Sequence, residues 1–135
     1  MKDLTKQNWD YRNIYGAFHG LYTVTKRIEN FDILISKNVF KGEQKHELLG
    51  RMSDMYLRFQ TGLEQLNLDF VFTEKGKQFY NELTSKGLSI IKKYEILMEF
   101  DLKNRDLDFR YEKFCVYNSY EDFIEKENKG HYNFN

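Results

Sequence analysis

Chemistry in this chain is sought first at Glu43-Gln44-Lys45-His46, where a carboxylate and an imidazole stand three residues apart. On a helix that spacing puts both on one face, as a carboxylate-bridged dimetal site requires, but such a site also needs a second pair and two further glutamates from facing helices. The other histidines, His19 and His131, have no glutamate three residues before them, so no metal is expected. Cys115 is the one cysteine, and among Phe114, Val116 and Tyr117 it reads as a small apolar filler rather than an activated nucleophile. Glu74-Lys75-Gly76-Lys77 holds a Gly-Lys pair without the earlier glycine or the Ser or Thr of a phosphate-binding loop. Carboxylates are plentiful, yet none is set apart from a solvated helix face. The chain is expected to be no enzyme and to carry no cofactor.

Tyr15-Gly16-Ala17-Phe18-His19-Gly20-Leu21-Tyr22 raises a question of binding instead. It puts two glycines four residues apart inside a helical pattern, each costing about 1 kcal/mol relative to alanine. Gly16 and Gly20 lie two residues from Ile14 and Phe18, about 200° around a helix, so the notch faces away from the main apolar stripe. Trp9, Asn13, Thr23 and Arg27 continue its line, with Arg12 and His19 alongside. Two meanings are open. Either another helix, of this chain or of a second copy, backs onto the notch, or it is a docking surface anchored by Trp9 and Arg12. Trp9, Arg12, Gly16, His19 and Gly20 are the predicted contact surface for a protein partner, and a homodimer through the notch is the other form it takes.

The elements that position these residues follow from apolar spacing. Tyr11, Ile14, Phe18, Leu21 and Ile28 recur at helical steps from Leu4 to about Ile35, with Thr25 filling the one gap in the row, although Phe31, Ile33 and Ile35 alternate as in a strand. Residues 37–43 read as a connection, with Gly42 as the break. Leu48, Met52, Met55, Phe59 and Leu66, widened by Leu49, Tyr56 and Leu63, predict a helix over residues 43–67. Phe79, Leu83, Ile90, Ile91, Tyr94, Leu97 and Met98 give a third helix begun at Thr73, with Gly87 as a candidate bend. Residues 106–117 suit a strand or a helix equally. Ser119 followed by Asp122 opens a short helix through Glu127, and residues 130–135 look like a frayed tail. The fold class expected is mainly α: an antiparallel bundle of three long helices plus a short C-terminal helix, in one domain over residues 1–129. A two-stranded ribbon from residues 68–72 and 106–111 is a possible addition.

Charge divides along the chain. The net formal charge is zero, but residues 1–94 hold 15 basic and 11 acidic side chains, and residues 95–135 hold 6 and 10. No global field steers the molecule toward nucleic acid or an anionic membrane. Locally, Lys26, Arg27, Lys37, Lys41 and Lys45 could gather near the first connection and bind nucleic acid weakly. The acidic end supplies Asp101, Asp106, Asp108 and Glu112 as a second candidate contact surface. Phe70 to Leu83, FVFTEKGKQFYNEL, resembles the segment of winged-helix regulators in which a wing strand ends at Thr-Glu-Lys-Gly and a helix follows. That resemblance covers about a tenth of the chain and implies a nucleic-acid-binding transcriptional regulator as the alternative function. A winged helix also places a compact helix, turn and recognition helix just upstream, where residues 43–67 read as one helix.

A lone cysteine excludes an internal disulfide and suits a reducing compartment. The longest aliphatic run is Ile33-Leu34-Ile35, so neither a leader nor a membrane span is expected and the protein reads as cytoplasmic. Lysines number 15 against 6 arginines, with 11 asparagines, a bias that accompanies AT-rich coding. That composition suggests a phage or mobile element. The leading expectation is a non-enzymatic interaction protein that binds and modulates another macromolecule, with an inhibitor of a host or defence protein as its natural version.

Overall fold

The computed structural model describes the backbone of residues 10–65, 74–103 and 108–134, and within these the side chains of all but 10–18 and 65. The chain is mainly helical. Helix α1, Asp10–Ser36, buries Leu21, Thr25, Ile28 and Ile35, each no more than 5% exposed, which is the stripe the spacing demands. Thr25 tolerates the core because its hydroxyl donates to the Leu21 carbonyl at 2.8 Å. The strand-like alternation at Phe31, Ile33 and Ile35 yields to the helix, leaving Ile33 exposed. Asn38, at φ 53°, ends it, and the N–H groups of residues 37–39 return to the carbonyls of Ile33, Ile35 and Leu34.

Helix α2, Glu43–Gln65, follows Gly42, whose φ of 63° suits the turn. Leu48, Leu49, Met52, Met55 and Phe59 form its buried face. It runs unbroken, so the helix, turn and recognition helix that a winged helix needs are not found within it. Helix α3, Glu74–Lys93, stops short of the expected stripe: Tyr94 is a turn and Glu95–Glu99 a 3-10 helix. Leu83, Ile91, Tyr94 and Leu97 are buried, whereas Phe79 and Met98, predicted on the same apolar face, lie exposed. Gly87 continues the helix rather than bending it. A Cβ there would stand 2.5 Å from the Phe59 ring, so the glycine lets α3 close on α2.

Helix α1 packs on both α2 and α3. A Cβ at Gly62 would meet Leu21 at 3.0 Å, and Lys93 reaches Asp32 at 3.1 Å and Ser36 at 2.7 Å. Tyr94 also donates its hydroxyl to Asp32, so one carboxylate on α1 gathers the end of α3. Among the described residues no helix is long and apolar enough to cross a membrane.

The C-terminal part folds onto α2. Helix α4, Tyr111–Tyr117, resolves the strand-or-helix ambiguity of residues 106–117 as helix from Tyr111 onward. Phe114 and Phe109 pack against Gly50, where a Cβ would lie 2.8 Å from the Phe114 ring. Helix α5, Tyr120–Asn128, begins as its capping pattern predicts, Ser119 Oγ accepting the Asp122 N–H at 3.2 Å. Residues 130–134, in the segment expected to fray, carry Tyr132 into the core at 2% exposure and set Phe134 against the Tyr94 ring, 4.7 Å between centroids. Aromatic burial outweighs the end-fraying that a terminal position favours. The ribbon segments fall largely outside the described residues, which exclude 66–73 and 104–107, and no strand occurs among those described.

Asn118 ties the link before α4 to its end. Its amide donates to the Asp101 carbonyl at 2.7 Å and to the Phe114 carbonyl at 3.0 Å, while its oxygen accepts the Asp101 N–H at 2.8 Å. Asn118→Ala takes these partners from the Asp101 N–H and carbonyl, while the Phe114 carbonyl keeps the backbone N–H of residue 118 at 3.0 Å. It is expected to lower stability by about 2 kcal/mol, measured by urea denaturation; a loss below about 0.5 kcal/mol would show that water replaces the amide.

Candidate functional site

The predicted contact residues fall into three groups. Trp9 and Asp106 lie outside the described residues, while Arg12 and Gly16 stand on the helical backbone of α1. His19 and Gly20 are exposed on the same helix, and a Cβ at Gly20 would meet nothing within 4 Å. The α1 surface at Gly20 is therefore open to solvent and carries no close helix contact within the described chain. Beside it an aromatic pair was not anticipated: Tyr22 stacks on Phe79 of α3 at 6.0 Å, both partly exposed, and Lys26 Nζ stands 5.5 Å from the Tyr22 ring. Phe79 follows the helical spacing of a core residue, so its exposure depends on how α1 and α3 meet.

The acidic group is dispersed. Asp101 accepts the Lys103 N–H at 2.9 Å and is engaged by Asn118, so much of its hydrogen-bonding capacity shapes the turn. Asp108 and Glu112 are exposed. Glu112 does not act with its sequence neighbours alone, because Glu43 and Glu47 of α2 join it around Cys115. The basic group is partly spent. Lys45 is 9% exposed and binds Glu127 at 2.7 Å, and Lys26 stands 3.6 Å from Glu29.

His46 occupies a place the sequence did not indicate. It is fully buried, with the rings of Phe123, Phe114, Tyr111, Tyr120 and Phe100 centred 4.8, 5.0, 5.4, 5.9 and 6.1 Å away. Its Nδ1 is hydrogen-bonded to the Tyr111 hydroxyl at 2.9 Å, and its Nε2 is enclosed without a partner. Burial lowers its pKa to about 4, the nearby Asn118 backbone opposing this only in part. Contact with the ring faces could return about 2 kcal/mol to the imidazolium. Removing an ion from water costs several kcal/mol, so the neutral form prevails. The helical face shared with Glu43 thus serves packing, and among the described residues no three potential metal ligands converge.

The Cys115 thiol lies within hydrogen-bonding reach of the same Tyr111 hydroxyl. Desolvation, then the carboxylates of Glu43, Glu112 and Glu47, push the thiol pKa up, while Tyr111 pulls the other way. A thiol held protonated is a poor nucleophile. Tyr111 also stands between it and His46, and an imidazole with no exposed surface cannot take a proton from a bound substrate. The signal for this cluster was present in Phe114, Tyr120 and Phe123, but nothing in their spacing relates them to residue 46.

Neither protein-family models, nor curated proteins, nor solved structures give a match to this chain. Its functional reading therefore rests on its own surface and interior.

Proposed function

We propose that this chain is a small non-enzymatic interaction protein that binds a protein partner and modulates or inhibits it, using the outer face of α1 as the contact. The carrying observation is the contrast among glycines. Gly50, Gly62 and Gly87 each admit a neighbouring side chain that a Cβ would obstruct, whereas Gly20 bears the same helix cost with no such neighbour. A close backbone approach by a second molecule would give that glycine the use its counterparts have. Gly16 and Arg12 lie on the same helix, and His19 and Tyr22 add exposed side chains beside the notch. In this reading the three long helices form an antiparallel bundle that holds the face rigid, and Asp108 and Glu112 supply a second, acidic contact. Cytoplasmic action on a host or defence protein follows from the compositional association with phages and mobile elements.

Affinity purification with tagged wild type, Gly16→Leu and Gly20→Leu tests it. Both variants should lose the captured partner, or self-association on size-exclusion chromatography, while still unfolding cooperatively. Leucine should raise stability by about 1 kcal/mol at Gly20, because it is the better helix former in open space. Capture that survives both changes removes the notch from the interface. Nucleic acid that co-elutes at low salt and is lost at high salt would favour the regulator instead.

A further inference from the structure

The geometry points to a proton-operated clamp: neutral His46 fastens Phe100, α4, α5 and Tyr132 onto α2, and protonation of its imidazole frees these C-terminal pieces. The rings around His46 come from three places, Phe100, α4 through Tyr111 and Phe114, and α5 through Tyr120 and Phe123. Tyr132 joins by stacking on Phe123 at 5.1 Å and on Phe100 at 5.9 Å. One imidazole of α2 is thus the hub on which these pieces meet. The joints among α1, α2 and α3 do not pass through it. Gly62 against Leu21, Gly87 against Phe59, and Lys93 with Asp32 remain when the hub opens.

Protonation acts on the hub because an imidazolium carries two N–H donors, and only Nδ1 of His46 has a hydrogen-bond partner of good geometry, the Tyr111 hydroxyl. The second donor would face an enclosed surface of aromatic rings, relieved only in part by the Asn118 backbone. Opening these pieces gives that nitrogen to water, so protons bind the open form in preference to the closed one. The surrounding elements also carry Tyr111, Glu112, Lys113 and Cys115 on α4, Tyr120, Glu121, Asp122, Glu125, Lys126 and Glu127 on α5, Glu99, Asp101 and Tyr132 beside the rings, Glu43, Lys45 and Glu47 on α2, and a second histidine, His131, which His46→Phe retains. Carboxylates ordinarily titrate below pH 5 and phenols and ammonium groups above pH 7.5, which leaves the interval between to histidine.

The closed form holds its imidazole at a pKa of about 4, against an ordinary 6.5. Linkage then makes opening about thirtyfold more frequent at pH 5 than at pH 7.5. Hydrogen exchange of the full chain, corrected for the pH dependence of intrinsic exchange, reads this directly. Amides of α4 and α5 should lose about thirtyfold in protection across that interval, and at each pH they should exchange faster and with weaker urea dependence than amides buried between α1, α2 and α3, which open only in global unfolding. In His46→Phe, which keeps a ring in the hub, the interval should have no such effect. Imidazole NMR of the wild type gives a second measurement that needs no variant, and His46 should keep neutral-form shifts down to pH 5. The clamp is overturned by protection that is unchanged with pH, by a loss equally large in His46→Phe, by α4 and α5 amides that exchange at the rate and urea dependence of global unfolding, or by a His46 midpoint near 6.5.

Discussion

Phe59→Ala is expected to lower the unfolding free energy by about 3–5 kcal/mol, the range for deleting a fully buried aromatic ring. The loss should be tied to one partner. Gly87 has no Cβ, and the Phe59 ring occupies the space a Cβ would take, 2.5 Å from Cε2 and Cζ. Gly87→Ala alone must displace that ring, an overpacking cost of about 1–3 kcal/mol set against about 1 kcal/mol of improved helix propensity. In the Phe59→Ala background the obstruction is gone, and the same change should stabilise by about 1 kcal/mol. A double-mutant cycle by urea denaturation should therefore give a coupling of at least about 1 kcal/mol. Additivity within about 0.5 kcal/mol would mean that α2 and α3 do not meet through this pair.

Stability should also fall with acid, by about 2 kcal/mol at pH 5 and about 3 kcal/mol at full extent, through His46 alone. Its folded pKa of about 4 lies below the unfolded value of 6.5, so the folded state prefers the neutral ring. The contribution is complete above pH 6.5 and declines as pH drops from there toward 4. Urea midpoints across pH 5–8 should show this slope in the wild type. His46→Phe should be flatter over the same interval, though lower at pH 8 because the Tyr111 hydroxyl loses its hydrogen bond to the imidazole. Equal slopes in the two proteins would place the acid sensitivity elsewhere. The global measurement stands whether or not the C-terminal segment opens separately.

Local periodicity carried much of the fold. Leu21, Thr25 and Ile28 on α1, and Leu48, Met52, Met55 and Phe59 on α2, are buried as their spacing requires, because a helix in water must cover its apolar stripe. Ser119 and Asp122 marked the start of α5 because a cap is made within four residues. The outward direction of Gly20 was legible for the same reason, since 100° per residue fixes which face a position occupies. Where a feature depends on a second element, spacing was silent or misleading. Phe79 and Met98 follow the α3 stripe and are exposed, and Tyr132 follows no stripe and is buried.

The candidate site divides along the same line. The open surface at Gly20 belongs to one helix and could be read from the spacing along that helix. The His46 cluster assembles rings from residues 100 to 123 around a position more than 50 residues earlier, and Glu43 and Glu47 join Glu112 across a comparable gap. By itself the sequence determined helical class, the buried stripes of α1 and α2, the cap of α5 and the outward direction of Gly20, all properties of contacts within a few residues. Tertiary structure alone decided which glycines close on neighbours, that His46 is sealed and Lys45 paired, and that the C-terminal aromatics form one cluster. Burial and pairing of this kind depend on distances between segments, and those are set only when the helices pack.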